Sequence, residues 1–140
     1  MDELIAFLRA RLDEDEQAAR GATWHEDAGT WRAEPTPYET RGKSQRWYIE
    51  DSMDDGVVSH VDPQASDDEG VARHIARHHP ARVLRDLEAK RRLLAWLQRT
   101  QDWAASNNLW TYDETEPLKI LAAPYVDHPE FREEWRTSTS

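Results

Sequence analysis

The chain has no cysteine, only five glycines and no long apolar run. Each absence removes a class of protein. Without cysteine there is no disulfide and no thiolate zinc site, and the composition fits a reducing interior. The glycines stand singly at Gly21, Gly29, Gly42, Gly56 and Gly70, so no glycine-rich loop is present to cradle phosphates. No stretch reaches the roughly 18 apolar residues of a membrane span. The Met-Asp-Glu start lacks the basic-then-apolar order of a secretory signal. The expectation is a cytoplasmic protein with no membrane contact. No Ser-His-Asp, P-loop, dinucleotide or H-E-x-x-H pattern occurs either.

What is present is charge, unevenly placed. Residues 1–70 carry 18 acidic and 7 basic side chains, a net of −11, whereas residues 71–140 carry 10 acidic and 11 basic, a net of +1. The field of the whole molecule, at −10, opposes direct nucleic-acid binding. It leaves open local contact by the basic segment, or mimicry of a phosphate backbone by the acidic half. At 140 residues the length suits one domain with a modest core. That domain is placed over 1–136, with a frayed tail over 137–140.

The chain is organised around Val71–Trp103. Pro80 divides this stretch, because it supplies no N–H and disfavours helical geometry at His79. A short helix over Asp68–His78, a corner at His79 and a long helix over Pro80–Trp103 follow. Val83, Leu87, Leu94 and Leu97 form the apolar stripe of the long helix, and Leu93 and Trp96 are expected to widen it. Arg82, Arg85, Lys90, Arg91, Arg92 and Arg99 fill much of the remainder.

Residues 2–20 form a helix on the Leu4, Leu8 and Leu12 repeat, expected to pair with the long helix. A hairpin of Gln45–Asp51 and Val57–Val61 turns at Asp55-Gly56, where glycine supplies a positive φ. Two strands alone are marginal, so a third is expected from residues 22–33. Short helical turns follow near Leu118–Leu121, with Pro117 in a first turn, and near Phe131–Trp135. The fold class is α+β: an N-terminal and a long central helix on a small antiparallel sheet at about 45–61, with short C-terminal helices.

His74 and His78 stand one helical turn apart and supply two metal ligands, where zinc takes three or four. The competing reading is that the histidines cap and pack the corner. No residue is assigned a catalytic role, and no cofactor is expected beyond such a metal ion. The interaction candidates are Arg82, Arg85 and Arg92 on the basic helix, with Trp31 and Trp110, two tryptophans set among polar residues.

Three blocks, MDELIAFLRARLDEDEQAA, HIARHHPARVLRDLEAKRRLL and LAAPYVDHPEFREEWR, cover about 56 of 140 residues. In their order and spacing they resemble a family of small uncharacterised proteins from actinobacteria and their phages. The resemblance carries no activity to transfer. It implies that His79 stands where relatives often have an acidic residue, which fits a helix cap. It also implies that cysteines common in relatives over 104–117 are missing here, so a cysteine-dependent metal or redox role is put in question.

Three readings of function compete. The first is a non-enzymatic interaction protein, a phage or actinobacterial accessory protein that binds a host protein. The second is a metal-assisted hydrolase around His74 and His78. The third is nucleic-acid contact or DNA mimicry. Self-association into an oligomer is left open.

Overall fold

The computed structural model describes residues 2–36, 46–62, 67–107 and 115–137. Its elements are α1 (Asp2–Gly21), β1 (Trp31–Pro35), β2 (Trp47–Asp51), β3 (Gly56–Val61), α2 (Asp68–Arg77), α3 (Pro80–Ser106) and α4 (Thr115–Ala122). Single 3₁₀ turns lie at Glu26–Ala28, Ala123–Tyr125 and Glu133–Trp135. The fold is α+β, and it forms two compact units, one of residues 1–16 with 86–140 and one of residues 17–85.

The first unit is helical. Leu4 and Leu8 are buried together with Leu94, Leu97, Leu118 and Trp135. Arg91 reaches Asp13 at 2.8 Å and Glu16 at 3.1 Å, while Arg9 reaches Gln98 at 2.8 Å. Ascending α1 therefore descends α3, which is the expected antiparallel pair. The Arg91 contacts also show one use of the basic helix: it binds the acidic run of α1. Two residues depart from expectation. Leu93 and Trp96 do not widen the buried stripe but are 44% and 54% exposed. Each lies about 100° around the helix from its buried neighbour, Leu94 or Leu97, and nothing described covers that side. In α4, Pro117 occupies the first turn and Leu118 and Ala122 are buried. Phe131 and Trp135 close on Phe7, with ring centroids 6.0 and 5.0 Å away.

The second unit is a three-stranded antiparallel sheet, in the order β1-β2-β3, with α2 lying chiefly over β1. Trp31 pairs with Asp51, Ala33 with Ile49 and Pro35 with Trp47. The third strand thus comes from 31–35. Residues 23–25, within the range expected to supply it, form no strand; a 3₁₀ turn at Glu26–Ala28 comes next, with the His25 ring accepting the Asp27 N–H. Trp47 pairs with Val61 but Ile49 with Val58, so β3 holds one residue more than β2 over this span. That bulge brings Val58 and Val61 to the Ile49 face although they are three apart, where Ile49, Val61 and Ala72 form the core.

The hairpin turn differs from the Asp-Gly expectation. The positive φ, 64°, belongs to Asp54 rather than Gly56. Asp51 decides this by gathering the N–H groups of Met53 and Asp55 on its carboxylate. The tight turn closes before Gly56, which opens β3 instead. Aspartate tolerates the left-handed region, and Asp54 gains Arg32 at 2.7 Å there. At the other end of the sheet, Asp67 caps α2 through the N–H groups of Glu69 and Gly70. The helix stops at Arg77, and His78 and His79 make the corner before Pro80.

Residues 37–45, which include Gln45 of the expected hairpin, residues 63–66, Trp110 and the tail beyond Thr137 lie outside the described residues.

Candidate functional site

A groove of about 780 Å³ lies in the sheet unit between β1 and α2. Trp31, Arg32 and Ala33 form its strand side. Gly70, Arg73, His74 and Arg77, spaced by three and four, form its helix side, and His79 and Arg82 close it from the corner. Helical periodicity places the α2 group on one face. The direction of α2 follows from two contacts. Arg73 stacks on Trp47, 5.2 Å from the ring centroid, and Trp47 pairs with Pro35. The N–H of Ala81 donates to Gly29 at 2.9 Å, just before β1. So α2 runs antiparallel to β1, with Arg77, His79 and Arg82 at the Trp31 end of the groove.

Among the described residues that line this groove four are arginines and none carries a carboxylate, hydroxyl or amine, but Arg32 stands on the face of β1 opposite Trp31 and Ala33, so the cations on the α2 face are Arg73, Arg77 and Arg82. Their states differ. Arg32 is engaged by Glu34, Glu50 and Asp54, and the Asp54 hydrogen bond, followed by the charge of Glu50, raises its pKa against the lowering effect of desolvation. Arg73 holds Glu69 at 2.8 Å. Arg77 and Arg82 make no ion pair among the described residues; Arg82 Nη1 donates only to the Arg77 carbonyl, at 3.3 Å. An arginine fork without a carboxylate retains donors for an incoming anion.

His79 works as a cap. Its Nδ1 accepts the Arg82 N–H at 3.1 Å, the bond that an N-cap side chain makes to the third residue of its helix. Burial pushes its pKa below the ordinary imidazole value, and Arg85 and then Arg82 push the same way, against the Gly29 carbonyl. The native state therefore favours the neutral ring. Stability from this group is full above about pH 6.5, the unfolded value, and is lost as pH falls, because the unfolded chain takes up the proton first. A His79→Asp variant keeps an ionised cap through this window. Its stability relative to the natural chain should grow by about 1 kcal/mol between pH 7.5 and 5. Urea unfolding at both pH values reads this, and equal pH slopes would refute the capping account.

Of the sequence candidates, the structure brings Trp31, Arg82 and His74 into the groove. Arg85 stays outside its lining. Arg92 belongs to the helical unit and pairs with Glu88 at 2.8 Å. His74 and His78 touch, with centroids 4.6 Å apart. Among the described residues, however, no group of three or more histidine or carboxylate side chains is placed to hold a metal ion. Sequence reasoning missed Arg73 and Arg77 as site residues. Their signal was the 70/73/77 spacing, legible only once β1 is known to lie beneath it.

No helix among the described residues is long and apolar enough to cross a membrane. The chain belongs to a family of unknown function, DUF6221, whose model matches residues 1–137. No curated protein and no solved structure matches it.

Proposed function

Starting from membership of that family, we propose that the protein is a non-enzymatic interaction module that holds an acidic segment of a protein partner in the β1–α2 groove. One observation carries this reading: among the described residues the groove presents the side chains of Arg73, Arg77 and Arg82, the last two without a carboxylate partner, and no acidic side chain lines it. Such a lining offers donors and charge but no nucleophile with an adjacent base, so it favours binding over chemistry. The net charge of −10 selects the class of anion. A long nucleic acid meets the repulsive field of the whole molecule, whereas a short acidic segment meets only the groove. The resemblance to actinobacterial and phage proteins supports a host protein as the source of that segment.

The test uses fluorescence anisotropy with labelled polyglutamate and, as competitor, a single-stranded oligonucleotide of equal charge. Polyglutamate should bind, and the Arg77→Glu, Arg82→Glu double variant should weaken it at least about 30-fold, since two charge-assisted contacts are reversed. The oligonucleotide should compete poorly. Preferential, steeply salt-dependent oligonucleotide binding would replace this reading with nucleic-acid contact, and no binding of polyglutamate would overturn it.

A further inference from the structure

The groove has a second property that its charge does not explain. Thr36 donates its N–H to the Arg46 carbonyl at 2.8 Å. In an antiparallel ladder the residues that bond across the pair alternate with residues whose N–H and C=O point away. Counting back through the register, Glu34 and Arg32 face β2. Trp31, Ala33 and Pro35 therefore turn their main-chain groups outward, along the groove side of the sheet. β1 is an edge strand, and no partner occupies the outward groups of Trp31 and Ala33 among the described residues. Pro35 sits where its missing N–H disrupts no ladder bond, as edge prolines do.

An open edge beside a helix that carries cations is a receptor for an extended chain. We infer that the partner segment binds by strand addition, pairing its main chain antiparallel to β1 at Trp31 and Ala33 and directing alternate acidic side chains to the arginines of α2. The inference rests on the groove reading above and specifies its ligand as an extended peptide with acidic residues at every second position. The register follows from the pleat. Ligand residues that exchange hydrogen bonds with Trp31 and Ala33 place their side chains on the face of those residues, which is the α2 face. Those are the positions at which a carboxylate meets Arg77 and Arg73. The intervening residues lie on the opposite face, with Arg32 and Glu34. One ligand thus supplies partners both to the outward groups of β1 and to Arg77, which has no ion pair among the described residues.

The experiment compares two N-methylated forms of a short acetylated and amidated peptide that alternates glutamate with valine. Methylation at the glutamates removes the N–H groups that point to β1. Methylation at the valines removes those that point to solvent. The parent and valine-methylated peptides should bind alike, while the glutamate-methylated form should bind at least about ten-fold more weakly. Ala33→Pro should reproduce that loss from the protein side, because the Ala33 N–H takes no part in the β1–β2 ladder; the ligand series gives the answer even if this variant folds poorly. Equal binding of both methylated peptides, with Arg77→Glu, Arg82→Glu still abolishing it, would overturn strand addition and leave the groove reading standing. Failure of both polyglutamate and the alternating peptide to bind would overturn the two together.

Discussion

Replacing Asp51 with alanine should lower the thermal unfolding midpoint by roughly 10 °C. Asp51 is 1% exposed, and its carboxylate accepts from the Trp24 indole at 2.9 Å, the Met53 N–H at 2.8 Å and the Asp55 N–H at 3.1 Å. Its main chain is engaged as well: its N–H donates to Asp55, and its carbonyl accepts from Arg32 at 2.8 Å and from Asp54 at 3.0 Å. One side chain thus fixes the hairpin loop and the approach of Trp24. Truncation leaves donors unmatched beside the sheet, which costs more than the loss of an ordinary hydrogen bond. Asp51→Asn keeps one acceptor oxygen and should lose roughly half as much. Burial acts to raise the Asp51 pKa, but the Trp24 indole, the Asp55 and Met53 N–H groups and Arg32 outweigh it, so the value falls below that of an ordinary carboxylate. The associated stability is then present above the unfolded value near 4 and is lost as pH falls through the lower native value. Calorimetric melts of both variants at neutral pH test this. An unchanged midpoint for the alanine variant would show that the loop holds without its central acceptor.

What could be read from the sequence was local. The Leu4, Leu8, Leu12 repeat marks α1, Pro80 divides α2 from α3, and alternation around Trp47 and Ile49 marks β2; each signal sits within one element. What could not be read depends on partners far along the chain. Asp51 resembles its acidic neighbours until Trp24, 27 positions earlier, is placed against it. The bulge in β3 shows only as valines out of phase, and it takes a paired β2 to reveal which face they share. The exposed side of α3 was misjudged for the same reason. Helical periodicity ranks the faces of a helix but does not say how many are covered, and Leu93 and Trp96 lie on the side that nothing described covers. The groove is the clearest case. Its cations come from α2 and the start of α3, so reading the basic residues along α3 alone selects Arg85 and Arg92 beside Arg82 and passes over Arg73 and Arg77.

Arg11 was equally invisible, since its main partners lie 117 and 119 positions away, and its two substitutions should behave very differently. Its side chain is 6% exposed. The guanidinium lies 5.0 Å from the centroid of the Phe7 ring. Nη1 stands 2.7 Å from His128 Nδ1 and 3.1 Å from Glu130, and Nη2 stands 3.0 Å from Glu14. Nε is buried without a partner, a cost the pairing must overcome. Glu14 and Glu130 are themselves 56% and 72% exposed, so water restores them when the cation leaves, and their share of the stability is small. What water cannot restore is the packing of the side chain itself, which is buried along its length with its guanidinium against Phe7. Arg11→Ala should therefore destabilise the chain by about 2–3 kcal/mol, as loss of a large buried side chain does. Arg11→Met, which keeps the stem and removes the unpaired Nε, should change stability by less than about 1 kcal/mol. Urea unfolding of the two variants separates the contributions. Equal large losses would assign the stability to the ion pairs and to His128 rather than to packing, because methionine preserves only the packing.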